Sequence, residues 1–315
     1  MQRRRFLQDT TKGIIAMSML PNLAAFSAAG KRKFKMCLRP GSIGVKVNQK
    51  ECLAAAIKYG FEAIEPRASD LSAMKEQELT AFLESMEKAN ISFGMAGLPV
   101  QFRTSEQKFQ DDLAKLPATA EILHQVGVKG MSTWIMPTHK ELTYIENFKQ
   151  HTKRLQAMAN ILGHYDIKLG LEYVGPKTLM ARDKFSFVRT MRECRELIDA
   201  TGEKNVGVQL DSFHWFCAGE TAADLLTLDR EDIVTVDLND AHAGRSADEQ
   251  IDGQRELPTA TGVIDLKAFL NALIQIGYDG PIRAEPFNQK LREMDNEAAL
   301  KETAAKMKRA FELVK

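Results

Sequence analysis

Asn205-Val-Gly-Val-Gln-Leu-Asp-Ser-Phe-His-Trp-Phe216 is the stretch on which the fold turns. Side chains alternate along a strand, so Val206, Val208 and Leu210 share one face and Gly207, Gln209 and Asp211 the other. The aliphatic face suits packing against helices. The other face ends in a carboxylate, with His214 three residues on, which suits a site at the strand's C-terminal end. Three further stretches repeat the pattern: Leu169-Gly-Leu-Glu172, Val234-Thr-Val-Asp237 and Ile282-Arg-Ala-Glu285. Each couples an aliphatic face to an acid at or near its last inner position. Four carboxylates at equivalent strand ends ask for a common explanation.

Working outward, short apolar runs alternate with longer amphipathic ones, the rhythm of βα units and a parallel sheet. Strands are expected at 34–39, 61–65, 91–95, 130–136, 168–173, 205–216, 233–238 and 282–285. Helices are expected between them at 48–59, 75–89, 105–126 with a break near Pro117, 142–165, 185–200, 222–228, 265–276 and 296–314. Asn48 reads as an N-cap and Gly60 as a C-cap. A polar loop, 239–261, interrupts the seventh unit. Eight strand–helix units predict a single-domain α/β (β/α)8 TIM barrel over 30–315, with functional groups at the C-terminal strand ends. A doubly wound sheet would want a Gly-rich phosphate loop after its first strand, and Pro40-Gly-Ser-Ile-Gly44 matches one poorly.

Residues 1–29 stand apart. Met1-Gln-Arg-Arg-Arg-Phe-Leu-Gln8 is the charged start of an export signal, followed by an apolar segment from Gly13 to Phe26 and small residues Ser27-Ala-Ala29. Arg3-Arg4-x-Phe6-Leu7 resembles the twin-arginine signal, although Gln2 and Gln8 stand where Ser or Thr and Lys are usual; general secretion is the alternative. The expected location is periplasmic. The net charge of +1, which becomes −2 without Arg3, Arg4, Arg5, Lys12 and Asp9, gives no support for nucleic acid as partner. No apolar run reaches the roughly 18–20 residues of a spanning helix, so no stable membrane association is expected once the signal is removed. Cys37, Cys52, Cys194 and Cys217 are too scattered for a disulfide framework and read as buried free thiols.

On a barrel, the inner residues nearest the rim are Arg39, Glu65, Trp134, Glu172, Asp211, Asp237 and Glu285. Converging carboxylates need a countercharge. A divalent cation supplies one, and an oxygen-rich set favours Mn²⁺ or Mg²⁺, with Co²⁺ or Zn²⁺ if imidazole joins. Salt bridges to Arg39, Arg245 and His214 are the alternative. His124, His151 and His164 fall on helices and read as solvated or core residues. Trp134 and Trp215 suit either packing or a sugar face.

Glu172, then Asp211-x-x-His214, then Asp237-Leu-Asn-Asp240, then Gly277-Tyr-Asp-Gly-Pro-Ile-Arg-Ala-Glu-Pro-Phe287 together resemble the xylose isomerase-like TIM-barrel family of sugar isomerases and epimerases. The ordered set, with Gly262-Val-Ile-Asp265, spans most of the chain beyond residue 29. The resemblance implies one divalent metal held by Glu172, Asp211, the third strand-end position and Glu285, with Glu172 and Glu285 also the catalytic acid and base. At the third position this chain has Asp237 where His is usual. Asp237 then ligates through oxygen, or His242 bends back from the loop to supply nitrogen, or the metal is weak or absent. His214 and Arg245 are implied to hold substrate oxygens, with Arg39, Glu65 and Trp134 lining the site. The implied chemistry is proton transfer beside a sugar carbonyl through an enediolate: epimerisation, aldose–ketose isomerisation or, with a β-leaving group, elimination. Export argues for an unphosphorylated sugar, and the loop 239–261 leaves a 3-keto-glycoside lyase or hydratase as the alternative. A non-catalytic sugar-binding barrel is the remaining one. Abasic-site endonucleases share the fold, but they need further His ligands than these six His provide. A homo-oligomer is in keeping with the resemblance.

Overall fold

The computed structural model describes residues 30–314, so the export signal expected at 1–29 lies outside the described residues. The strands are β1 (Lys35–Leu38), β2 (Ala63–Ile64), β3 in two pieces (Ser92–Phe93 and Ala96–Gly97), β4 (Gly130–Ile135), β5 (Lys168–Tyr173), β6 (Val206–Asp211), β7 (Ile233–Asp237) and β8 (Pro281–Arg283). All pair in parallel. One piece of β3 pairs with β2 and the other with β4, while β8 returns to β1, so the sheet closes on itself through Gly94-Met95. That is a TIM barrel, as the sequence predicts.

The principal helices of the outer ring are α1 (Gln49–Tyr59), α2 (Glu76–Lys88), α3 (Leu116–Gln125), α4 (Tyr144–Gly163), α5 (Met191–Thr201), α6 (Ser212–Ala218), α7 (Leu266–Ile276) and α8 (Asn296–Glu312). Local chemistry sets their ends. The Asn48 side chain accepts from the Glu51 amide and Glu51 answers the Asn48 amide, a reciprocal cap. Gly60 stops the same helix at φ +76°, a conformation costly for any residue with a Cβ. α5 buries Met191, Cys194 and Leu197 at helical spacing. The long helix expected at 105–126 breaks after Leu113, and Pro117 falls in the first turn of α3, where its missing N–H costs nothing.

Two expectations about elements are corrected. The sixth strand ends at Asp211, because that side chain accepts the Phe213 amide at 2.7 Å and caps α6. His214 therefore sits on a first helical turn. Secondly, 185–190 is not helical: Phe185–Ser186 pairs antiparallel with Thr138–His139, and α5 waits for the Thr190/Glu193 capping box.

Register shifts between Ile233 and Thr235 in β7. Val234, expected on the outer aliphatic face, instead reaches the inner positions of its neighbours. A Cβ at Gly130, Gly170 or Gly207 would lie only 3.0–3.2 Å from its side chain. Those glycines make room for it at the barrel's floor. All four cysteines are buried free thiols. Among the described residues no helix is long and apolar enough to cross a membrane.

Candidate active site

Register levels the four acids. Glu172 stands opposite Gln209, Asp211 opposite Asp237 and Asp237 opposite Arg283, so β5 to β8 end at one height. Glu285 follows two residues beyond β8. One carboxylate oxygen from each of Glu172, Asp211, Asp237 and Glu285 lies within 4.8 Å of the others, and Glu172, Asp211 and His214 form an overlapping set. All five side chains are buried.

Three guanidiniums answer them unevenly. Arg283 makes a two-pronged pair with Asp237, Nε to Oδ1 at 2.7 Å and Nη2 to Oδ2 at 2.6 Å. Arg255 Nη1 lies 2.7 Å from Asp211 Oδ2 and 3.2 Å from Glu285 Oε2. Arg39 joins Glu285 Oε1 at 2.5 Å to Glu65 at 3.0 Å. Among the described residues no guanidinium makes ion-pair contact with Glu172; it accepts from Gln209 Nε2 at 2.8 Å, and the same amide donates to Asp237 Oδ2 at 2.8 Å. Counting Glu65 and Asp252, which meets Arg255 at 2.7 Å, six carboxylates face three guanidiniums. The rim keeps excess negative charge.

The consequences are physical. Glu172 is held well above the usual carboxylate range by burial and by Glu285, Asp211 and Asp237. Burial pushes Asp211 up to about 7 despite the pull of Arg255. Asp237 goes the other way: burial opposes its charge, but Arg283, Arg39 and Arg255 outweigh that and hold it low. Burial and Arg255 bring His214 down to about 3, so its imidazole is neutral.

A cavity of about 420 Å³ opens above the acids, its wall including Arg39, Trp134, Glu172, His214, Arg255 and Glu285. Trp134 stands at the rim, 40% exposed. Glu65 reaches the site only through Arg39. Arg245 does not line this cavity; Arg255, ten residues on in the same loop, enters it and lies 3.2 Å from His214 Nε2. His242 stays in its loop, Nδ1 2.7 Å from the Ala243 carbonyl, and joins neither acid set. Trp215 is core, packed on Phe269 with Nε1 donating to Thr221. The salt-bridge alternative is realised in part, with Arg39, Arg255 and Arg283 as its cations and a neutral His214.

Sequence reasoning assigned no role to Gln209, Arg283, Asn239 or Arg255. Gln209 was legible, being the inner residue before Asp211. Arg283 lies two residues before Glu285 on the same inner parity. Asn239, two past Asp237, donates to both oxygens of Asp211 and accepts from the Glu285 amide. Arg255 gave no periodic signal, since it lies in a loop.

The donor set fits a divalent cation. Glu172, Asp211 and Glu285 offer oxygens close together under a net negative field, and among the described residues Glu172 has no guanidinium partner. Asp237 stands among them with both oxygens already bonded to Arg283.

Fold and acid cluster together define a class, and residues 53–310 match the model of the xylose isomerase-like TIM barrel. The chain belongs to that family. It is similar to the inosose isomerase of Bacillus subtilis, 26% identical over 278 residues, 86% of this chain and 95% of that one. Among solved structures, a xylose isomerase domain protein from Alicyclobacillus acidocaldarius superposes with a TM-score of 0.78 at 26% identity, covering 89% of this chain and 99% of the other. The IolI protein, solved with a bound zinc atom, gives 0.72 at 23% identity over 88% of this chain and 98% of its own.

Proposed function

We propose that the protein is a divalent-metal-dependent sugar isomerase or epimerase that moves a proton beside the carbonyl of an unphosphorylated sugar or sugar derivative. The observation that carries this reading is the pair Glu172 and Glu285, one unpaired with any arginine and one bracketed by two, on the first and last of four strand ends. Glu172, Asp211 and Glu285 would hold the ion, while Asp237 stays with Arg283. A bound Mn²⁺ or Mg²⁺ would supply Lewis acidity, which makes a C–H beside a carbonyl more acidic.

The chain's own groups do the rest. Glu285, kept beside Arg39 and Arg255, is disposed to act as base; Glu172, the other glutamate of the cluster, is the group placed to give a proton back. Arg255 and neutral His214 face the cavity as partners for substrate oxygens. Trp134 offers a ring face. Arg39, Arg182 and Arg255, the arginines of the cavity wall, each pair with a carboxylate, which disfavours a phosphate. Names of the relatives agree with sugar-like substrates. Residues 1–29 would send the protein out by the twin-arginine route.

The test is incubation with Mn²⁺ in D₂O beside a panel of free ketoses and 3-keto glycosides. Deuterium should enter at a C–H next to the carbonyl, and Glu172→Gln or Glu285→Gln should each lower the rate at least about 100-fold. A chelated protein with full turnover would overturn the reading. An ultraviolet-absorbing enone would assign elimination instead.

A further inference from the structure

Beyond Trp134, Met136 and Arg182, which also line the catalytic cavity, lies a second cavity of about 810 Å³. One wall is a face of α4 carrying Asn147, His151 and Arg154, only 1%, 3% and 3% exposed. Among the described residues two acceptors there have nothing to accept: Asn147 Oδ1 and His151 Nε2. His151 Nδ1 lies 3.0 Å from the Asn147 carbonyl oxygen, which can only accept, so Nδ1 carries the proton and Nε2 is a bare lone pair. Phe102 and Phe187 hold that ring at 5.5 and 4.8 Å. Buried polar atoms in folded proteins nearly always find partners, and both residues line the cavity.

Spare donors stand in the same wall. Arg154 Nε is unpartnered. The Arg103 guanidinium is sandwiched between the rings of Phe102 (4.5 Å) and Trp134 (3.9 Å). Its Nη1 donates to Thr133 Oγ1 and the Trp134 carbonyl, and among the described residues no carboxylate pairs with it. Bare acceptors beside spare donors match a hydroxyl, which both gives and takes a hydrogen bond. An anion would suit Arg103 but would confront two lone pairs.

We propose that this cavity is a second sugar subsite, so that the substrate is a glycoside with its reacting ring over the acids and its second ring beyond Trp134. The proposal rests on the sugar reading of the acid cluster. Calorimetric titration of Mn²⁺-loaded protein with glucose, galactose, cellobiose, maltose and lactose tests it. At least one disaccharide should bind tenfold or more tightly than its component monosaccharides. Asn147→Leu and, separately, Arg103→Met should each remove most of that gain and leave monosaccharide affinity unchanged. Should Asn147→Leu fail to fold, the half-buried Arg103 position carries the test. Disaccharides that gain nothing over monosaccharides, variants that bind them as the parent does, or occupation by inorganic phosphate alone would overturn the subsite. If monosaccharides bind and exchange deuterium without a disaccharide gain, the subsite alone falls; if no sugar binds, the sugar reading falls with it.

Discussion

Asp237 and Arg283 are both buried, and among the described residues each is the other's closest charge partner, Arg39 lying 4.0 Å from Asp237. Removing one strands the other in a medium where isolated charge is very costly. Arg283→Met should therefore destabilise by about 3–5 kcal/mol, while Asp237→Leu with Arg283→Met should recover most of it, read from urea midpoints. Asp211 supplies a pH signature. Its carboxyl titrates near 3.8 in the unfolded chain and near 7 when folded, so folding takes up a proton between those values. The associated stability is complete below about pH 4 and lost as pH climbs to 7. A cation must displace the protons held on Asp211 and on Glu172, so Mn²⁺ affinity in titration calorimetry should rise with pH, about tenfold per unit for each proton displaced. A shallower slope in Asp211→Asn than in the parent would bear this out; a flat parent would refute it. The acids themselves were legible because period-two alternation fixes which side chains face inward. Their counter-ions were less so: Arg245 and Arg255 share one aperiodic loop, and nothing in that loop's spacing says which turns in.

At the scale of elements, the loop that carries Arg255 is anchored at its two ends by one carboxylate. Asp240 Oδ1 accepts from the Ala241 and Ile264 amides, and Oδ2 from Thr261 and Gly262. An antiparallel bridge from Asp240 to Glu256 adds to the anchorage. Within the loop, buried Gln250 bonds to the backbones of His242 and Arg245. Asp240→Ala leaves several amides without partners and should cost at least about 2 kcal/mol. Hydrogen exchange should quicken first across 241–261 while β5 to β8 stay protected. Sequence caps located α1 to within a residue, since Asn48 and Gly60 act locally; the helix expected from Asp265 begins at Leu266, with Asp265 as its cap. The run 185–190 misled because its apolar residues satisfy a tertiary pairing with Thr138–His139, which local periodicity does not encode.

At the scale of the molecule, the barrel was legible from repetition: eight short apolar runs, each followed by an amphipathic stretch. The seam in β3 and the inward turn of Val234 were not, because both depend on the ring being closed. The export signal proposed at residues 1–29 is tested on the whole cell. Arg3→Lys with Arg4→Lys should hold the protein in the cytoplasm if the twin-arginine route is used, as fractionation and immunoblotting would show, whereas a general-secretion signal should tolerate the change.

All four clustered acids come from β5 to β8, whereas Trp134 and Arg103 belong to the first four units and their loops. That division of labour has an evolutionary consequence. A crossover between relatives within α4, near the midpoint of the chain, would pass on the four acids in one piece, and a hybrid would have to keep an arginine at position 39 to brace Glu285.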